Sequence, residues 1–232
     1  MKKTVVSALA GLLAGLAVAG EAPAKPLRIS ILGDSYSTYE GSVPKANAVW
    51  YPAPPKARNG VDSPDRTWWG IAIRALGGKL EKNNSYSGAT VCFTAYSGQD
   101  RSGSSFISRV YDLGHPDMIL VCGATNDSWA HSPIGAYQWE KWTNEDLYSF
   151  RPAMAKLCAE LTTLYPQAKI AFLLNDVLSA EVNDSVHAIC AHYGILCVDL
   201  KGIAKQENHP DAAGMRTIAD QTVAAVKARF GL

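Results

Sequence analysis

The segment ILGDSYSTYEG, residues 31–41, decides how this chain is read. A short branched apolar run, LRISIL at 27–32, stops at Gly33 and passes into Asp34-Ser35-Tyr36-Ser37. Two readings compete for that turn. In the structural one, Asp34 or Ser35 caps the helix that follows a strand. In the chemical one, Gly33 makes the turn, Asp34 braces it, and Ser35 is a nucleophile offered at the strand's end.

Working outward, the same pattern recurs. MILVC at 118–122 ends at Gly123, IAFLL at 170–174 ends at Asn175-Asp176, and ILCVDL at 195–200 ends before Gly202. A weaker run at 79–82 precedes Asn83-Asn84. Short, nearly continuous apolar runs suit strands buried on both faces. Segments with helical spacing lie between them, at 68–76, 105–113, 144–165, 184–193 and 210–230. Each has a plausible start or a Gly or Pro at its close. This alternation predicts an α/β fold, with a central parallel sheet of about five strands and helices on both faces. Function in such folds gathers at the carboxyl ends of the strands. The one long irregular region, 40–65, is rich in proline but contains Trp50-Tyr51, which argues for an ordered, functional loop.

Lys2 and Lys3, the apolar run at 5–19 and the small residues at 17–19 or 22–24 read as an export signal spanning 1–24. Residues 25–232 then form one domain, exported to a periplasmic or secreted location. With 22 basic and 21 acidic residues scattered along the chain, there is no electrostatic footprint for nucleic acid or an anionic membrane surface. The cysteines are Cys92, Cys122, Cys158, Cys190 and Cys197, an odd set with no C-x-x-C spacing, so no metal or other cofactor is expected. The spacing of Cys190 and Cys197 permits a bridge from a helix end to the next strand.

A parallel sheet would bring four turns to one edge. These are Gly33-Asp34-Ser35, the loop Ser87-Gly88-Ala89-Thr90, Gly123-Ala124-Thr125-Asn126-Asp127, and Asn208-His209-Pro210. Together they supply what acyl transfer needs. Serine becomes a useful nucleophile only when a neighbouring base takes its proton, and His209 can do so. The backbone N–H groups of Ser35 and Gly88 and the amide of Asn126 can stabilise the oxyanion. Each turn alone has an ordinary structural reading as a cap or loop. Their order along successive strand ends changes the weighing.

Those motifs, in that order, resemble the SGNH (GDSL) hydrolase family, and the likeness spans nearly all of the chain after the export segment. It implies a flavodoxin-like three-layer α/β/α sandwich and hydrolysis of esters. It also implies Ser35 as nucleophile, Gly88 and Asn126 as oxyanion donors, and His209 as base. Exported bacterial members that remove O-acetyl groups from carbohydrates are nearest in general look. Two positions depart from the family pattern. Ala124 stands where a glycine is usual, a mild change expected only to shift the loop. Gln206 stands where an aspartate usually orients the histidine, and loss of such an acid can cost about 10⁴ in turnover. Glu207, a backbone carbonyl near Gln206, or a carboxylate from elsewhere could take its place; the carbonyl, giving a Ser–His dyad, is preferred.

The aromatic segment after Asn126, with Trp129, Tyr137, Trp139, Trp142 and Tyr148, is expected to fold over or beside the site. Trp129 is the first expected substrate contact and Trp50 the second. The leading expectation is a serine esterase acting on O-acetyl groups of a small-molecule or polysaccharide ester. A lipase or thioesterase, and a catalytically retired binding protein on the same fold, are the alternatives.

Overall fold

The computed structural model describes residues 25–232, so the expected export segment lies outside the described residues. Five parallel strands, β1 (Arg28–Gly33), β2 (Lys79–Asn83), β3 (Met118–Gly123), β4 (Lys169–Leu174) and β5 (Leu196–Asp199), pair in the order β2-β1-β3-β4-β5. This is the doubly wound, flavodoxin-like order, and it reverses direction at β1 and β3. All five strands were legible as apolar runs, to within two residues at either end. β2 gave the weakest signal because it is the half-exposed edge, with Lys79 and Leu80 facing water.

The period of two along the strands divides the core. Met118, Leu120 and Cys122 of β3, with Ile29, Ile31, Ala171 and Leu173, pack against α1 (Trp68–Ala75) and α6 (Ala212–Phe230). Ile119 and Val121, with Leu32, Ile170, Phe172 and Leu174, pack on the opposite face. There they meet α2 (Phe106–Arg109), α4 (Phe150–Leu164) and α5 (Ala180–His192). The result is a three-layer sandwich. Ser30, fully buried in β1, is made tolerable by donating its hydroxyl to the Leu113 carbonyl at 2.7 Å.

Helix limits differ from the periodicity in instructive ways. The segment expected to be helical over 144–165 starts its helix only at Phe150, after an extended Ser149. Pro152 is the cause: it lacks an N–H and its ring would clash with the carbonyl four residues earlier, so it must lie in the first turn. Helix α5 begins at Ala180, earlier than 184, because the Ser179 hydroxyl caps it. Helix α2 is a single turn, and Pro210 lies before α6 rather than in it, with Asp211 as cap. All five cysteines are free thiols, so Cys190 and Cys197 are not bridged. No helix among the described residues is long and apolar enough to cross a membrane.

Candidate active site

Four loops meet outside the carboxyl ends of β1 and β3, at the switch point of the sheet. The first is the turn after β1. Asp34 accepts from Tyr36 N at 3.0 Å and so tightens Ser35–Ser37 into a single 3-10 turn. Gly33 is required there, because a Cβ would lie 2.3 Å from Ser37 Oγ. Trp68 and Trp69 of α1 clamp the turn, donating their indole N–H groups to Ser37 Oγ and Ser37 O at 3.2 and 2.9 Å. Ser35 is left 7% exposed at the rim.

The second loop is tied to the first by Tyr86 N, which donates to Gly33 O at 3.0 Å. Gly88 follows with φ +82 and open space where a side chain would stand. The third loop leads into α3 (Thr125–Trp129). Asn126 Nδ2 donates to Ala89 O at 2.9 Å, and its Oδ1 accepts from Tyr96 OH at 2.9 Å. Among the described residues, neither Ser35 N nor Gly88 N donates a hydrogen bond, and the second Asn126 amide hydrogen has no partner. Asp127 fastens the second and third loops together by accepting from Val91 N and Cys92 N at 2.8 and 3.0 Å. The departure at Ala124 has a backbone meaning: it sits at φ +68, left-handed geometry that a glycine adopts without strain.

The fourth loop was not foreseen as a strand pair. Residues β6 (Lys205–Gln206) and β7 (His209–Pro210) form a two-residue antiparallel hairpin, with Gln206 opposite His209. Its turn residues, Glu207 and Asn208, both have positive φ, at 51 and 59. That is the twist a two-residue hairpin needs. It turns the Glu207 carbonyl onto His209 Nδ1 at 2.8 Å, while Nε2 lies 2.9 Å from Ser35 Oγ. A carbonyl only accepts, so Nδ1 carries the proton and the Nε2 lone pair faces the hydroxyl. Gln206 does not take the aspartate's place: its exposed side chain is across the hairpin, and it is the next residue's backbone that meets the ring.

Three side chains that the motif pattern did not single out hold this hairpin. Tyr36 OH donates to Asn208 O at 2.8 Å, Tyr51 OH donates to Pro210 O at 2.7 Å, and Asn59 Nδ2 donates to Gln206 O at 2.9 Å. Trp50 lies flat on the His209 ring, with centroids 3.5 Å apart and planes 9° apart. Trp129 goes elsewhere. Its indole N–H donates to Val177 O at 3.2 Å, securing the loop after β4. The aromatic segment after it also departs from expectation. Trp139 stacks on His192 at 4.1 Å, at the end of α5 and thus towards the amino-terminal edge of the sheet.

Burial sets the charges. His209 is held below the ordinary histidine value by desolvation, against which the Glu207 carbonyl works. It is therefore a neutral ring at neutral pH. Asp34, fully buried and with Oδ2 unpartnered, is pushed up to about 7 by desolvation. Asp127 is pushed up to about 6 for the same reason, although two backbone N–H groups oppose the shift. Away from this site, His187, Cys197 and Asp199 bring their ligand atoms within 4.8 Å of one another on β5 and α5, a spatial group that spacing alone did not suggest.

A model of GDSL-like lipases/acylhydrolases matches residues 27–226. The chain belongs to this family. It is a serine hydrolase acting on esters, as the order of the four loops implied. A solved GDSL-like lipase from Bacteroides ovatus is 48% identical, with a TM-score of 0.86 over 88% of this chain and 100% of that one. A second, from Bacteroides uniformis, is 51% identical, with a TM-score of 0.85 over 88% and 96%. A family two carbohydrate esterase from Clostridium thermocellum, solved with cellohexaose, shares the fold at 19% identity and TM-score 0.60, covering 91% of this chain and 67% of that one. A comparison with curated proteins gave no match.

Proposed function

We propose that this GDSL-family chain is a carbohydrate O-acetylesterase working through a Ser35–His209 dyad. The observation that carries the reading is the paired geometry of His209, with Nε2 at 2.9 Å from Ser35 Oγ and Nδ1 at 2.8 Å from a backbone carbonyl. Neutral His209 takes the Ser35 proton as Oγ attacks the ester carbonyl carbon. The negative oxygen of the tetrahedral intermediate is met by Ser35 N–H, Gly88 N–H and the free amide hydrogen of Asn126. Collapse breaks the bond to the sugar oxygen, which leaves with the proton from Nε2 and makes acetyl-Ser35. Water, deprotonated by His209, then attacks the acyl carbon and releases acetate.

The imidazolium that forms twice in this cycle lacks a carboxylate partner. The Glu207 carbonyl accepts its Nδ1 proton, and the face of Trp50 lies against the cation, an attraction worth about 0.5–2 kcal/mol. Trp50 thus acts as a positioning residue for the base as well as a wall for substrate.

Two clefts favour a short acyl group on a sugar over a long aliphatic chain. The cavity beside Gly88 and Tyr96 holds only about 230 Å³ and is closed in by Ala48, Tyr86, Ala95 and Gln99, room for a short acyl group rather than a fatty chain. The groove beyond Trp50 is open, about 850 Å³, and its wall mixes charged Glu40, Lys45, Lys56 and Arg58 with apolar Val43, Val49 and Trp50, a lining that suits the polar edges and apolar faces of an oligosaccharide. The fold shared with a carbohydrate esterase agrees with this. Export before action follows from the basic and apolar start of the sequence, and a soluble or polymeric sugar ester is the proposed partner. Release of p-nitrophenol from acetate and octanoate esters tests the reading. Acetate should be the better substrate, and turnover should vanish in Ser35→Ala; an octanoate preference, or turnover that survives the substitution, would overturn it.

A further inference from the structure

Trp50 carries the site outward. One side of its environment is His209, and the Arg58 guanidinium carbon lies 5.0 Å from its ring centroid. Beyond them, the chain between Glu40 and Arg58 walls the open groove of about 850 Å³. The charge in that wall is one-sided. Lys45, Lys56 and Arg58 line it, against Glu40 alone, and Glu40 is engaged in the wall itself by accepting from Ala53 N at 2.8 Å. Among the described residues, none of the three cations has a carboxylate within salt-bridge distance, whereas Arg28, Arg74, Lys156 and Arg216 all do.

Unpaired lysines on a convex surface would be an ordinary solvated face. These line a concavity, and one of the residues in its wall, Trp50, is stacked on His209. A concave wall of one sign concentrates its field and raises the local concentration of the opposite charge. Arginine adds direction, because its planar fork matches the two oxygens of a carboxylate or sulfate.

We propose that this groove seats an anionic group of the substrate, so that the scissile O-acetyl ester is carried by an acidic sugar, a uronate or a sulfated residue, rather than a neutral one. This rests on the esterase reading above. It adds that Arg58 and Lys56 select the substrate by the charge next to the acetylated unit. Arg58 lies over the Trp50 ring that stacks on His209, and Lys45 and Lys56 line the same groove and extend the preference along it.

The test compares acetate release from O-acetylated tri-galacturonate, from its carboxyl methyl ester, and from an O-acetylated sulfated oligosaccharide. The methyl ester keeps the shape and removes the charge. The acid should be turned over about tenfold or more faster in kcat/KM than its methyl ester at low salt, and about 0.5 M NaCl should erase most of that ratio. In a Lys56→Gln/Arg58→Gln variant the same ratio should fall to about threefold or less, read within the variant so that any general loss of activity cancels. Faster turnover of the acid than of the sulfated substrate assigns the groove to a uronate, faster turnover of the sulfated one assigns it to a sulfate ester, and equal rates assign the preference to charge alone. Equal rates on the acid and its methyl ester, from an enzyme that hydrolyses p-nitrophenyl acetate, would overturn the proposal and leave the esterase reading intact. If p-nitrophenyl acetate is not turned over, calorimetry with unacetylated tri-galacturonate and its methyl ester reads the groove independently. Tighter binding of the acid supports the groove, and equal binding overturns it.

Discussion

The base partner makes a sharp prediction at Glu207. If its carboxylate served as the acid of a triad, Glu207→Gln would cost about 10⁴ in turnover, as removal of such an acid does elsewhere. In this structure the group on His209 Nδ1 is the Glu207 backbone carbonyl at 2.8 Å, and the side chain is exposed. Glutamine keeps the carbonyl, the hairpin and the left-handed backbone. What disappears is a screened charge in water, whose pull on the imidazolium changes kcat/KM by about fivefold at most. Among the influences on His209, the carbonyl hydrogen bond outranks the Glu207 charge, and both raise its pKa against the larger effect of burial. The substitution should therefore move the acidic limb of the kcat/KM profile slightly to lower pH, and that limb should already lie below 6.5 in the unaltered protein. The assay is p-nitrophenyl acetate hydrolysis from pH 4.5 to 9, with circular dichroism to check folding. A loss of about a thousandfold or more in a folded Glu207→Gln protein would refute the carbonyl assignment.

Other outcomes follow from neighbouring contacts. Trp50→Ala removes the ring lying 3.5 Å from His209 and should lower kcat about tenfold, with Trp50→Phe recovering most of it. Asp127→Asn leaves one of two buried backbone donors without its acceptor; urea unfolding should show a loss of about 1–3 kcal/mol, and kcat should fall as the Gly88 loop loosens. Asp34 has its pKa raised from 3.8 to about 7 by burial, so its contribution to stability is fully present below 3.8 and is lost as pH rises through about 7. Asp34→Asn should thus gain in melting temperature relative to the unaltered protein at pH 8, with the gain shrinking steadily towards pH 4. Asn59→Ala removes the amide that bonds the hairpin at Gln206 O and should lower kcat more than it raises KM, because the base rather than the substrate is released.

The strands were readable because residues buried on both faces must be apolar throughout, as in Met118 to Cys122. That Ser35, Gly88, Asn126 and His209 come together was readable because a parallel sheet sends every such loop to one edge. Helix starts were less so. The apolar period runs on through residues 144–149, and only the position of Pro152 marks where regular hydrogen bonding can begin. The hairpin at 205–210 gave no signal, since Glu207-Asn208 contains no glycine to announce two positive φ angles. Tyr36, Tyr51 and Asn59 are long-range anchors, each joining residues more than a hundred positions apart, and nothing local distinguishes them. Sequence proximity to the site loops did not show which tryptophan lies on His209. Trp129 follows Asn126 closely but turns to Val177, whereas Trp50 reaches His209 across the whole chain.

In the proposed Ser35–His209 dyad a backbone carbonyl takes the role of a side-chain acid, and that alters what mutation can reach. A triad exposes three side chains to replacement, and this site exposes two. Any residue that tolerates a left-handed turn can stand at 207 and still present the same oxygen to the imidazole. Positions 206 and 207 are therefore free to drift in chemistry while conformation alone is held. Drift there should change turnover by no more than the small factor expected for Glu207→Gln, whereas a lengthened or shortened turn should abolish it. The vulnerability of the base has moved from residue identity to loop length.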